Sequence, residues 1–120
     1  MKFKNTLRKL FLLVIIPTIV MAQTGLLNPY TIADIAGSSH TVALATNFVP
    51  AKLIQFTAPS GNSSPVRYGD ASTSSSRGTS ITPANKDNIG ATGNGYFNLA
   101  NVYVYVATGD TLQVMYWYGN

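Results

Sequence analysis

Residues Asn101–Tyr118 read N-V-Y-V-Y-V-A-T-G-D-T-L-Q-V-M-Y-W-Y. An alternation this strict has a period of two, which is that of an extended strand whose successive side chains point to opposite faces. In the first run Val102, Val104 and Val106 share one face and Tyr103 and Tyr105 the other. In the second, Leu112, Val114, Tyr116 and Tyr118 lie opposite Gln113, Met115 and Trp117. Gly109-Asp110 between them has the composition of a two-residue hairpin turn. A hairpin with Thr108 opposite Thr111 sets Val104 against Met115, Val102 against Trp117, Tyr103 against Tyr116 and Tyr105 against Val114. Such cross-strand pairs contribute roughly 0.2–1 kcal/mol each. Both faces of that hairpin are apolar or aromatic, whereas a monomeric sheet needs only one such face. The second face must meet another sheet, a partner subunit or a ligand. Tyr103, Tyr105, Val114, Tyr116, Trp117 and Tyr118 are therefore the candidate contact surface.

The middle of the chain follows the same grammar. In Lys52–Ala58, Ile54, Phe56 and Ala58 share the better core face, with Leu53, Gln55 and Thr57 on the other. Pro59-Ser60-Gly61-Asn62 is turn chemistry, after which Val66–Tyr68 is expected to pair back and Gly69-Asp70 to end that strand. Ala71–Ser80 reads as a short edge strand plus a serine-rich loop, with Ile81 returning to the core. Pro83–Gly95 is the longest expected loop. Upstream, Tyr30–Ala36 fits one helical turn or a short strand, Gly37-Ser38-Ser39 is a breaker, and His40–Phe48 fits a strand buried on both faces. Together these segments predict an all-β fold: one antiparallel β-sandwich or jelly-roll-like domain over residues 23–120, with about seven or eight short strands.

The N-terminus has a different composition. Met1–Lys9 is basic, Leu10–Met21 is almost wholly apolar, and Val20-Met21-Ala22 offers a signal-peptidase site. The apolar run is roughly a dozen residues, short of the ~20 that span a bilayer. Residues 1–22 are thus expected to form a hydrophobic, signal-like helix, either a cleaved signal peptide or an uncleaved membrane anchor. Export to the periplasm, the cell surface, the medium or a virion follows, with membrane contact only through residues 1–22.

Charge and chemistry narrow the function classes. The formal net charge is +4. Lys2, Lys4, Arg8 and Lys9 supply all of that excess, because Lys52, Arg67, Arg77 and Lys86 balance Asp34, Asp70, Asp87 and Asp110. A nucleic-acid binder carries its basic footprint on the folded domain, so nucleic acid is not an expected partner. The absence of cysteine removes disulfides and thiolate metal sites. His40 has Asp34 nearby in sequence but no nucleophile-elbow pattern. The aspartates read as turn residues. Asp87 with Asn85 and Asn88 is thin for calcium, and Gly90–Gly95 lacks the lysine of a phosphate loop. Asn62-Ser63-Ser64 matches a glycosylation pattern but reads as a polar hairpin loop. No catalytic residue, metal or cofactor is expected. Tyrosine and tryptophan are enriched at interfaces, and they also stack on sugars. The competing class is therefore a secreted module that binds a surface glycan through Trp117 and the tyrosines. Arg67 and Arg77 flank the serine tract and are secondary contact candidates.

Three segments carry a resemblance: F-V-P-A-K-L-I-Q-F-T-A-P-S-G-N (Phe48–Asn62), V-R-Y-G-D-A-S-T-S-S-S-R-G-T-S-I (Val66–Ile81) and N-L-A-N-V-Y-V-Y-V-A-T-G-D-T-L-Q-V-M-Y (Asn98–Tyr116). They resemble small β-sandwich structural proteins of tailed bacteriophages and prophages. The resemblance spans about the last two-thirds of the chain and has the texture of a fold, with no catalytic fingerprint. It implies a non-enzymatic, virion-associated or self-assembling protein, either a homo-oligomer or a partner of other structural subunits. The signal-like N-terminus departs from that pattern and points to a membrane-associated virion or to a surface-exported relative.

Overall fold

The computed structural model describes residues 28–118, and the expected export segment at residues 1–22 lies outside them. The described chain is all-β and contains no α-helix. The strands are β1 (Asn28–Ala36), β2 (Thr41–Ala43), β3 (Pro50–Ala51), β4 (Leu53–Thr57), β5 (Val66–Gly69), β6 (Thr79–Ile81), β7 (Lys86–Gly90), β8 (Phe97–Asn98), β9 (Tyr103–Tyr105) and β10 (Thr111–Tyr118). A short 3-10 turn, Leu99–Asn101, separates β8 from β9, and the Asn98 side chain accepts from the N–H of Ala100 at its start.

The strands form three antiparallel sheets, with orders β1-β10-β4-β7, β2-β9-β5-β6 and β3-β8. The pairings nest. β1 pairs with β10, β2 with β9, β3 with β8, β4 with β7 and β5 with β6. The chain is thus one long hairpin with its tip between β5 and β6. It closes on itself through two further pairings, β10 with β4 and β5 with β9.

The alternation of residue types decides which face of each strand is buried. Ile54 and Phe56 on β4, Val66 and Tyr68 on β5, Val104 on β9, and Leu112 and Val114 on β10 are buried, and their alternate neighbours are less so. The two four-stranded sheets meet where the rings of Phe56 and Tyr68 stack, with centroids 4.3 Å apart and planes 10° apart. Full burial of Ile54 and Phe56 contributes about 1.5–3 kcal/mol each, and the ring pair adds about 0.5–1.5 kcal/mol.

The ambiguity over Tyr30–Ala36 resolves as a strand with a bulge. Ile32 pairs with Val114 and Ile35 with Leu112, so three steps on β1 oppose two on β10. The extra residue returns Ile35 to the core side. A bulge of this kind gives the two isoleucines the spacing of a helix face.

Four expectations are corrected. The C-terminal hairpin does not form. β9 lies in the sheet with β2 and β5, and β10 lies in the other sheet between β1 and β4. Val104 pairs with Val42 and Tyr68, not Met115, while Tyr116 pairs with Tyr30 and Ile54, not Tyr103. Val66–Tyr68 likewise does not pair back onto Lys52–Thr57, because β5 belongs to the opposite sheet. Finally, His40–Phe48 yields only the short edge strand β2, with Val42 37% exposed, whereas the expected long loop contains β7.

The hairpin fails because of the contacts its turn makes. Asp110 N–H closes a turn on Ala107 O at 3.0 Å, but Asp110 O then accepts from Gly37 N–H at 2.8 Å. Ser39 N–H donates to Val106 O at 3.0 Å, and its hydroxyl accepts from Thr108 N–H at 2.9 Å. The β1–β2 corner and the β9–β10 corner therefore cross between the sheets side by side. The β4–β5 corner joins them on the other flank. Asp110 Oδ1 accepts from Ser63 N–H at 2.8 Å and Oδ2 from Ser64 N–H at 2.9 Å. Asn62 makes two bonds to the backbone of Thr111, at 2.7 and 2.9 Å. Asn62, expected in a polar hairpin loop, is instead a buried clamp.

Candidate interaction surface

The six candidate contact residues are distributed over four environments. Val114 is sealed in the core at 1% exposure, so it is not part of any contact surface. Tyr103 and Tyr105 are half-buried on the outer face of the β2-β9-β5-β6 sheet. Across that face Tyr105 is level with Thr41 and Arg67, and Tyr103 with Ala43 and Gly69. Trp117 lies on the outer face of the other sheet. Tyr116 and Tyr118 lie on the opposite side of β10 from Trp117.

The Trp117 face is built by register. Pro29, Trp117 and Leu53 form one row across β1, β10 and β4, and Thr31, Met115 and Gln55 form the next. Leu53 is level with Gly90 on β7, and a Cβ placed at Gly90 would lie 3.7 Å from Leu53 Cδ1. The leucine thus has room beside the glycine. Trp117, Met115 and Leu53 are half-buried and Pro29 is exposed. The outer face of a sheet whose inner face already lines a core is ordinarily polar; this one carries an apolar stripe at the C-terminal end of β10.

On the inner side of β10, exposure rises along the strand. Leu112 and Val114 are sealed, Tyr116 is partly buried against the core, and Tyr118 is 45% exposed. Cover from the opposite sheet runs out in that direction. The tyrosines there cover one another. Tyr30, from β1, stacks on Tyr116 with centroids 5.4 Å apart, and Tyr96, from the β7–β8 loop, stacks on Tyr118 at 6.2 Å. Lys52 N–H donates to Trp117 O, which brings Lys52 alongside this end of β10. Its ammonium lies 4.5 Å from the Tyr96 ring centroid and donates to Gly93 O at 2.7 Å.

Arg67 and Arg77 do not form a joint site. The guanidinium of Arg67 donates to Ser75 O at 3.0 Å and Gly78 O at 3.2 Å, which pins the serine-rich loop to β5. Arg77 is exposed and lies close enough to Asp70 to favour its ionised form. The Asp70 carboxylate is held below the usual carboxylate range chiefly by hydrogen bonds from the Ser72 hydroxyl and backbone N–H. Thr73 is buried and Thr41 donates to its carbonyl, so the serine tract is a folded loop. His40 is exposed, and Asp34 is exposed on the bulged strand β1. Asp87 is not a turn residue: it lies on β7 and accepts from the Tyr68 hydroxyl at 2.7 Å.

Sequence reasoning missed Pro29, Leu53, Tyr30, Lys52 and Tyr96. Leu53 was legible as an apolar residue on the strand face opposite Ile54 and Phe56, whereas Pro29 precedes a segment that fitted a helical turn as well as a strand. The others come together only through pairing of β1 with β10 and through the fold of the β7–β8 loop. Comparison with protein families, with characterised proteins and with solved structures found no match to this chain.

Proposed function

We propose that this chain is a non-enzymatic structural protein that self-associates into a virion or an exported surface assembly. Its fold is read as a jelly-roll sandwich. A jelly roll is a long hairpin rolled up so that its two arms fill two sheets, and the nested pairing of β1 with β10 through β5 with β6 supports that reading. Residues 1–22 are read as the segment that exports it.

The observation that carries the function is the outward row Pro29, Trp117 and Leu53, with Met115 beside it. The core is already closed by Leu112, Val114, Ile54 and Phe56, and this stripe lies on the other face of the sheet. A half-buried tryptophan among apolar neighbours is the composition of an interface anchor. A second copy presenting the same stripe would cover it in a two-fold, self-complementary contact.

Light scattering on the exported protein tests the proposal. The expected result is a mass that is a multiple of one subunit, reduced to a single subunit in Trp117→Gln with the thermal midpoint nearly unchanged. A single-subunit mass for the unsubstituted protein at high concentration overturns it.

A further inference from the structure

The tyrosine shelf on the inner side of β10 lies on the opposite side of that strand from the Trp117 stripe. Tyr30, Tyr96 and Tyr118 are each between 45% and 47% exposed. Stacking already orders the rings in two pairs, Tyr30 on Tyr116 and Tyr96 on Tyr118. Cross-strand register fixes the rest, since Tyr30 and Ile54 flank Tyr116 and Tyr118 is level with Asn28. A ligand laid on this shelf orders few side chains that are not ordered already, which is the chief saving a preformed site offers.

The charge around the shelf is one-sided. Lys52 stands within it, over Tyr96. An ammonium carries three N–H donors, and one goes to Gly93 O. The four carboxylates of the described chain lie elsewhere. Asp110 is in the β9–β10 corner at the far end of β10, and Asp34 is in the β1 bulge towards that end. Asp70 is in the serine loop, and Asp87 pairs with Phe56 rather than with the shelf rows. Among the described residues, an anionic ligand therefore meets a cation here and no opposing side-chain carboxylate.

We propose that the shelf binds an acidic oligosaccharide, a chain of sugar rings that carry carboxylates. Sugar C–H faces lie on the exposed tyrosine rings, hydroxyls exchange hydrogen bonds with the phenols, and a uronate carboxylate pairs with the Lys52 ammonium. A ribbon of amphipathic rings matches a shelf of amphipathic aromatic side chains better than an aliphatic protein surface does, and the lone cation selects the charged class.

Isothermal titration calorimetry of the exported protein with a uronic-acid hexamer prepared from alginate tests this, with cellohexaose as the neutral probe. The expected result is saturable binding of the uronate that weakens with added salt. Tyr118→Ala lowers the affinity about tenfold and Tyr118→Phe restores most of it. Lys52→Gln weakens uronate binding and removes its salt dependence. Trp117→Gln binds like the unsubstituted protein whatever its oligomeric state, so this proposal and self-association fail separately. Absence of uronate binding overturns the proposal. So does equal binding of both sugars by the unsubstituted protein and Lys52→Gln, or a Tyr118→Ala protein that binds normally. Loss of a subunit contact in Tyr118→Ala, with no sugar bound by the unsubstituted protein, assigns the shelf to a second copy and overturns it as well.

Discussion

The hydroxyl of Tyr68 on β5 donates a 2.7 Å hydrogen bond to Oδ2 of Asp87 on β7, and so ties a central strand of one sheet to the edge strand of the other. The bond spans the interior beside the Phe56–Tyr68 stack. Phe56 and Asp87 are cross-strand partners, so the ring of Tyr68 packs on one residue of that pair and its hydroxyl binds the other.

This relationship predicts an alkaline limb in stability. Burial first, and the Asp87 bond second, push the Tyr68 hydroxyl up to about 12 from an ordinary value of 10.0. Above pH 10 the unfolded chain releases this proton while the folded chain keeps it, so the folded state binds more protons and stability falls as pH rises. The contribution is whole below pH 10 and is lost as pH climbs through about 12. Tyr68→Phe removes this titration and flattens the limb between those values, as read by urea unfolding across the pH range. At neutral pH it costs about 1 kcal/mol, that of a lost buried hydrogen bond. An unchanged limb in Tyr68→Phe contradicts the assignment.

An acid limb is expected from the corner clamp. The Asp110 carboxylate is held below the usual carboxylate range by Ser63 N–H first, then by Ser64 N–H and the Ser63 hydroxyl, which together outweigh its burial. Its folded value lies below its unfolded one. The stabilisation is therefore present above the ordinary carboxylate range and is lost as pH falls through the depressed value. Asp110→Asn removes the carboxylate's titration and keeps only part of its accepting capacity, so it is less stable at neutral pH and less sensitive to acid. Asp70, depressed by Ser72, contributes a limb of the same sign. Asp70→Asn is thus the control, and the double variant separates the two in a thermal-melt series from pH 6 to 2. An acid profile in Asp110→Asn identical to that of the unsubstituted protein contradicts this reading.

Gly37 is predicted to tolerate no side chain. A Cβ there would stand 1.8 Å from Ala107 O and 3.0 Å from Asp110 O, both backbone atoms of the adjoining corner. Backbone cannot swing aside as a side chain can. Gly37→Ala must therefore separate the β1–β2 and β9–β10 corners or break the Gly37–Asp110 bond. The expected cost is roughly 3 kcal/mol or more, at the upper end of overpacking effects. Gly61→Ala, where an added Cβ meets nothing within 4 Å, changes stability little and serves as the control. Comparable denaturation midpoints for the two variants remove the close-approach argument.

Much of the core was legible because alternation reports faces directly. Ile54 and Phe56 were assigned to the core face of their strand, and both are buried. For Val104, Leu112 and Val114 the alternation named a face but not which face is inside, and Val114, a candidate contact residue, is sealed in the core. Ile81 returns to the core after the serine tract as expected. The bulge in β1 was not legible, since its Ile32–Ile35 spacing fits either a helix turn or a kinked strand. Nor was β7. K-D-N-I-G has the composition of a loop, and it forms a strand because its partner β4 offers an open edge. Of the candidate interaction surface, Trp117, Tyr116 and Tyr118 could be named from their aromatic character, but not the division of Trp117 from the other two.

What the sequence determined by itself is local: where the strongly alternating strands β4 and β10 run, how their side chains divide between two faces, and where the chain turns between Thr57 and Val66 and at Gly109-Asp110. Period-two patterning states those things without reference to any other segment. What only the tertiary structure decided is which strand sits beside which. A strand's hydrogen-bonding groups are the same whatever its sequence, so the identity of the partner is settled by packing and by the corners. Here Gly37 and Asp110 hold two corners together, and the Thr-Gly-Asp turn carries the chain across the core instead of back along its own sheet. That choice separates Tyr103 and Tyr105 from Trp117 by the thickness of the molecule and brings Tyr30 onto Tyr116 from the far end of the described chain.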